Sequence, residues 1–190
     1  MKAARSTTKP VPKKTRVAAI SVKTNVCAIV MSAEENKAAV RHFWQDHLNT
    51  GNATLCKNDF APDAVNHDSS SPPVPPGPEG ISQLITLYRT AFPDLTATVE
   101  DMVAEGDEVA YRLTFRGTNQ GELMGMPATG KHVTYVGIGI DKVVNGTITE
   151  MWLNFDALGM LQQVGAVPSP GEMAKKAAYY YTGKEVKGQK

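Results

Sequence analysis

The stretch LTATVEDMVAEGDEVAYRLTFRGT, residues 95–118, decides the fold. Val109, Tyr111, Leu113 and Phe115 recur at every second position, the period of a strand with one buried face. The same period returns in KHVTYVGIGIDKV, residues 131–143, and in TITEMWLNF, residues 147–155. Gly106-Asp107 and Asn145-Gly146 are tight-turn signals, and Asn-Gly is among the strongest of hairpin signals. Four strands are therefore expected from residue 95 to residue 155, the middle pair joined by the longer TNQGELMGMPATG, residues 118–130.

Upstream the period changes to that of a helix. Ser32 and Glu35 form a capping box, and Val40, Phe43, Trp44, His47 and Leu48 follow at three-to-four spacing until Thr50-Gly51. The pattern predicts a first helix of about eighteen residues, with a short helical piece over 53–58 after it. A second long helix starts at Pro78, carries Ile81, Leu84, Ile85, Tyr88 and Phe92 on one face, and stops at FPD. After the strands, Asp156 is placed to cap ALGMLQQV, which Gly165 ends. Helices first and antiparallel strands second make an α+β domain, its curved sheet wrapped over the helices as a cone with an internal apolar pocket.

The 190 residues suffice for one domain with a core, and 42% of them are hydrophobic. The first thirty hold seven Lys or Arg and no acid, so the remainder carries 13 basic against 19 acidic residues. An acidic body argues against nucleic-acid binding. No run of about eighteen apolar residues exists to span a membrane. The chain thus divides into a basic, unfolded leader at 1–31, a folded unit at 32–166 and a flexible tail at 167–190. A cytoplasmic location is expected, or an organelle if the acid-free leader is a transit peptide.

Cys27 and Cys56 lack the spacing of a disulfide framework or a zinc site. His42 and His47 stand about 140° apart on an α-helix and so do not form the i, i+4 pair of a metal site. No metal is expected.

Between the two long helices lies AVNHDSSSPPVPPGPEG, residues 64–80, in which Asn66, His67 and Asp68 run into five prolines. A long helix or central strand cannot continue there. One reading makes His67 a general base tuned by Asp68, with Asn66 binding a substrate carbonyl. In the other, Asn66 and Asp68 satisfy loop backbone groups and His67 packs beneath the prolines.

The succession NHD, GPEG, FPD, AEGDEVA, GT-x-x-GE-x-x-G-x-P-x-TG, G-x-I-x-E-x-W and D-x-x-G-x-L-x-Q-x-G resembles the SnoaL-like polyketide cyclase family, also called ester cyclases. The match runs from about Glu34 to Gly165. The resemblance implies a nuclear transport factor 2-like cone and ring closure by intramolecular aldol condensation, without metal or cofactor. Its best-known members use an Asp as acid and base, and that position is Leu153 here; their partner Gln and His fall on Gly137 and Gly139. Asn66 is retained.

If Leu153 faces the pocket, strand alternation puts Met151 and Phe155 beside it, with Tyr135, Gly137 and Gly139 on the neighbouring strand. Tyr88 and Phe92 from the second helix complete the expected ligand contacts, with Met124 and Met126 as an adaptable lid or as plain loop packing. The expected ligand is a small apolar carbonyl compound. Val136, Ile138, Ile140 and Trp152 face outward and are too apolar for open solvent, which suggests a homodimer interface. Asp156 is read as a helix cap, Glu150 and Arg112 as an ion pair across the outer face, and His132 as exposed.

Two functions follow: a cyclase or isomerase acting by enolisation, with His67 and Asp68 handling the proton, or a module that binds an apolar metabolite without turning it over. A scaffold recruiting another protein through Trp152 and Ile138 is a third.

Overall fold

A computed structural model describes residues 31–68 and 70–182. Apart from Met31, the leader lies outside the described residues, as do residues 183–190 of the tail.

Helix α1, Ala33–Arg41, begins at the expected capping box: Ser32 Oγ accepts from the Glu35 N–H at 3.3 Å, and the Glu35 carboxylate accepts from the Ser32 N–H at 2.8 Å. The helix continues as a π-helical segment, His42–His47, and then as α2, Leu48–Thr50. Gly51, at φ 70°, ends it. The length agrees with the expectation; the π-helical segment was not foreseen. A short 3₁₀ turn, Ala53–Leu55, and α3, Cys56–Asp59, follow.

Among the described residues the sheet has five strands in the order β1-β5-β4-β3-β2, where β2 is Thr96–Glu105, β3 Glu108–Thr118, β4 His132–Val144 and β5 Thr147–Phe155. These four are antiparallel, with tight turns at Gly106 and at Asn145-Gly146, where φ is 51° and 79°. The expectation of four strands is corrected by β1, Phe60–Asn66, which runs parallel to β5. Pro62 masked it in the sequence. Proline is tolerated on an edge strand, and the β1–β5 register shifts between Phe60 and Val65, around that proline.

The proline-rich loop returns to α4, Pro78–Ala91, through Gly77. Gly77 sits at φ 83°, donates its N–H to Ala64 O at 2.7 Å, and lies so close to Pro62 O that a Cβ would collide with it. This contact holds the loop against β1. Arg89, near the end of α4, donates to Leu48 O and Asn49 O, both at 2.6 Å, and so ties the first helix to the second. The core lies between these helices and the concave face of the sheet, around Phe43, Trp44, Phe60, Leu113 and Ile148.

Asp156 caps α5, Ala157–Val164, accepting from the Gly159 N–H at 2.8 Å as expected. Within the tail, Pro170–Thr182 forms a further helix, α6, most of whose side chains are exposed. Arg112 pairs with Asp101 at 3.0 Å, not with Glu150, because Asp101 stands opposite it on β2.

Candidate functional site

The open side of the cone holds a cavity whose walls come from three directions. The first helix contributes Phe43, Trp44 and Leu48; α4 contributes Ile81, Leu84, Ile85 and Tyr88; the sheet contributes Phe115, Tyr135, Met151, Leu153 and Phe155. Strand alternation gives the last three their common orientation, as the sequence reading expected. Leu153 lines the cavity at the position where the family resemblance implied an acid/base Asp.

Polar atoms enter mainly at one edge, from Asn66, Asp68, Ser71 and Tyr88, with Tyr135 further along the sheet. The Asp68 carboxylate accepts from the Ser70 N–H at 2.7 Å and from the Ser71 hydroxyl, and Ser71 Oγ lies 3.4 Å from the Tyr88 hydroxyl. Asn66 Oδ1 accepts from the Asp68 N–H at 3.2 Å. Burial pushes the Tyr88 phenol above its ordinary value; the Ser71 hydrogen bond opposes this and the nearby Asp68 charge adds to it. Burial, with a smaller contribution from Tyr88, raises the Tyr135 phenol strongly. The cavity lining therefore holds the Asp68 side chain together with two phenols.

The expectation that His67 and Asp68 act as a pair is corrected in its geometry. The His67 N–H bonds to Met151 O at 2.8 Å, extending the β1–β5 ladder by one residue. Alternation then places Asn66 and Asp68 on the cavity face and His67 on the opposite face. There its ring stacks on Trp152, and Nε2 lies 3.2 Å from Glu150 Oε2.

Two other expected ligand contacts fall outside the lining. Phe92 leaves the helical path at φ −132°, and its ring is fully buried in the core instead of following the α4 face. Met124, at φ 48°, occupies the tip of a tight turn closed by Leu123 and Met126 and is 52% exposed, so it does not cover the cavity. Asn66, Tyr88, Tyr135, Met151, Leu153 and Phe155 are part of the lining.

Gly137 and Gly139 do face inward, but the space they leave is filled. The Phe115 ring lies against Gly137, and the Tyr111 hydroxyl lies where a Gly139 Cβ would stand. Tyr111 donates to Asp141 Oδ1 at 2.9 Å. Asp141 is fully buried, and its Oδ2 has no hydrogen-bond partner among the described residues. Burial lifts its carboxyl well above the usual range, the Tyr111 hydrogen bond opposing in part. The inward run Tyr135, Gly137, Gly139 reaches Asp141 one step further along β4; the sequence reading stopped short of it.

Residues 38–164 match the family model for SnoaL-like polyketide cyclase. The aklanonic acid methyl ester cyclase DnrD of Streptomyces peucetius is 32% identical over 106 residues, which make up 55% of this chain and 70% of that protein. Among solved structures, TsrD of Streptomyces laurentii is 28% identical with a TM-score of 0.65, covering 72% of this chain and 99% of its own. IdmH of Streptomyces antibioticus is 34% identical with a TM-score of 0.60, covering 68% and 98%. With a matching cone and a family match over most of its length, the chain belongs to the SnoaL-like polyketide cyclases.

Proposed function

We propose that the protein closes a ring in a small, largely apolar polycarbonyl compound by enolisation and intramolecular aldol addition, with Asp68 as the base. The observation that supports this most directly is the placement of Asp68 at the edge of an apolar cavity, linked through Ser71 to the phenol of Tyr88, with Tyr135 in the same lining. A C–H flanked by two carbonyls is acidic enough for a carboxylate in a water-poor site to remove its proton. The resulting enolate carbon adds to a ketone carbon within the same molecule, the ketone π-bond becomes an alkoxide, and the alkoxide takes back one proton. Tyr88 and Tyr135, held protonated, are donors for the enolate and alkoxide oxygens. Asn66 binds a carbonyl of the same compound. These steps balance with base and donor groups of the chain alone, which is the basis for proposing a cofactor-independent reaction.

Leu153 favours a second reading, a module that holds an apolar metabolite without converting it. The named activity of the relatives supplies the first compound to test, aklanonic acid methyl ester. On the cyclase reading, Asp68→Asn lowers kcat by at least about a hundredfold, the scale of a general base, while binding measured by fluorescence or calorimetry changes little. Tight binding by the native protein with no product in either form would instead establish the binding module.

The outer sheet face is proposed as a homodimer interface. Val136, Ile138 and Ile140 are 50%, 62% and 41% exposed on adjacent outward positions, with Trp152 beside them.

A further inference from the structure

We infer that His42, His47 and Asp59 form a binding site for a divalent transition-metal ion, with zinc as the best fit to its donors. The site lies on the outer side of the first helix, and none of the three residues lines the cavity. It is independent of the proposed cyclisation.

The π-helical segment creates the site. On an α-helix, residues five apart diverge by about 140°, which is why the sequence reading excluded this pair. In a π-helical turn the hydrogen bond runs from i to i+5, so residue i+5 rises above residue i. The segment spans His42–His47, and its two end residues are the histidines. Their rings meet edge to face with centroids 4.1 Å apart. Such turns are locally unfavourable and recur at functional sites.

Asp59, the last residue of α3, brings a carboxylate to both rings. Its Oδ1 lies 3.3 Å from His42 Nδ1, and its Oδ2 is hydrogen-bonded to His47 Nδ1. One ligand atom from each residue lies within 4.8 Å of the others. Donors around a tetrahedral zinc, at about 2.0–2.1 Å from the ion, stand roughly 3.3 Å from one another.

The surroundings suit an ion. The Asp59 and His47 side chains are only 5% and 10% exposed, while His42 is 52% exposed and leaves a route from solvent. His42 Nε2, the nitrogen that faces away from the site, lies 4.0 Å from Asp46 Oδ2. That is an ion-pair distance, longer than a hydrogen bond; once hydrogen-bonded behind a ligating imidazole, a carboxylate is the usual outer partner in zinc sites, where it fixes the ring and raises its basicity. Two imidazoles and one carboxylate form a borderline-soft N,N,O donor set that suits zinc better than magnesium or calcium. Water completes the coordination.

The test uses the full chain, stripped of metal with a chelator and titrated with Zn²⁺ alone by calorimetry. One saturable site is expected. His42→Ala, at a half-exposed position where folding is least disturbed, weakens it by more than about a hundredfold, and Asp46→Asn by about tenfold. His132→Ala, a surface control, leaves it unchanged. A second readout separates binding from a purely structural role: Zn²⁺ raises the melting temperature of the native protein but not that of His42→Ala. Equal Zn²⁺ affinity in the native chain and His42→Ala would overturn the assignment, as would the absence of saturable binding by Zn²⁺, Co²⁺ and Ni²⁺.

Discussion

His67 and Trp152 stack with ring centroids 4.5 Å apart and planes 7° from parallel, on the sheet face opposite the cavity. The neighbouring Asp68 lines the cavity. One step along an extended backbone thus separates the proposed base from a side chain packed on the outer surface. His67→Ala is expected to change turnover by less than about threefold, against the roughly hundredfold loss from removing a general base. Steady-state kinetics on both variants, with circular dichroism to confirm folding, decides the assignment. A large kcat loss in folded His67→Ala would reverse it.

Tyr88 is the phenol nearest the Asp68 network, through Ser71. Tyr88→Phe keeps the ring and removes the donor, so kcat is expected to fall by about ten- to a hundredfold with little change in KM. Because burial raises this phenol, titration of the proposed donor does not enter the ordinary working range, and Tyr88→Phe should leave the shape of the pH–rate profile below pH 9 unaltered. A variant that lost only binding affinity would make Tyr88 a wall of the cavity and nothing more.

Asp141 gives a pH test of the fold. Its carboxyl pKa is raised in the folded chain, so the folded state keeps a proton that the unfolded state releases above about pH 3.9. Its contribution to stability is full below that value and declines as pH rises toward the folded pKa, by up to about 1.4 kcal/mol per pH unit. Asp141→Asn cannot ionise, and its amide oxygen can still accept from Tyr111. Urea unfolding at pH 5, 6.5 and 8 is expected to show a flatter pH dependence for Asp141→Asn than for the native chain. Parallel curves would mean that Asp141 is ionised in the fold.

Gly139→Ala tests the packing above that acid. The added methyl would overlap the Tyr111 hydroxyl, so the ring must shift and weaken its hydrogen bond to Asp141. A loss of about 1–3 kcal/mol in unfolding free energy is expected, the range for overpacked cores. Gly171→Ala, where nothing lies within reach of the new methyl, serves as the control.

What could be read from the sequence follows its local periods. The two-residue alternation from Val109 to Phe155 located β3 to β5 and oriented Met151, Leu153 and Phe155 correctly, because each strand has one buried face. The capping box at Ser32 and the cap at Asp156 were legible for the same reason: the partner lies within a few residues. Long-range pairing hid the rest. Pro62 argues against a strand until β5 supplies an edge to pair with, and without β1 the opposite facing of His67 and Asp68 has no basis. The π-helical segment at His42–His47 leaves no mark on hydrophobic spacing, since Phe43, Trp44 and Leu48 read equally well as one α-helical face. It becomes visible only when Asp59 arrives between the two imidazoles.

The exposed stripe of Val136, Ile138, Ile140 and Trp152 faces solvent from the middle of the sheet, on β4 and β5. Isolated apolar side chains on a surface need no explanation, but contiguous ones on a central sheet face usually mark an interface. On the dimer proposal, a two-fold axis would set the stripe against its own copy, so that like residues meet. Ile138 is the most exposed of the four and has little native packing to lose. Ile138→Lys is therefore expected to leave the melting temperature of the isolated chain nearly unchanged while placing two ammonium groups in one apolar contact. Sedimentation velocity at micromolar concentration should show a dimer for the native chain and a monomer for Ile138→Lys. A native chain that sediments as a monomer over the same range would remove the interface, and the stripe would then call for a different partner.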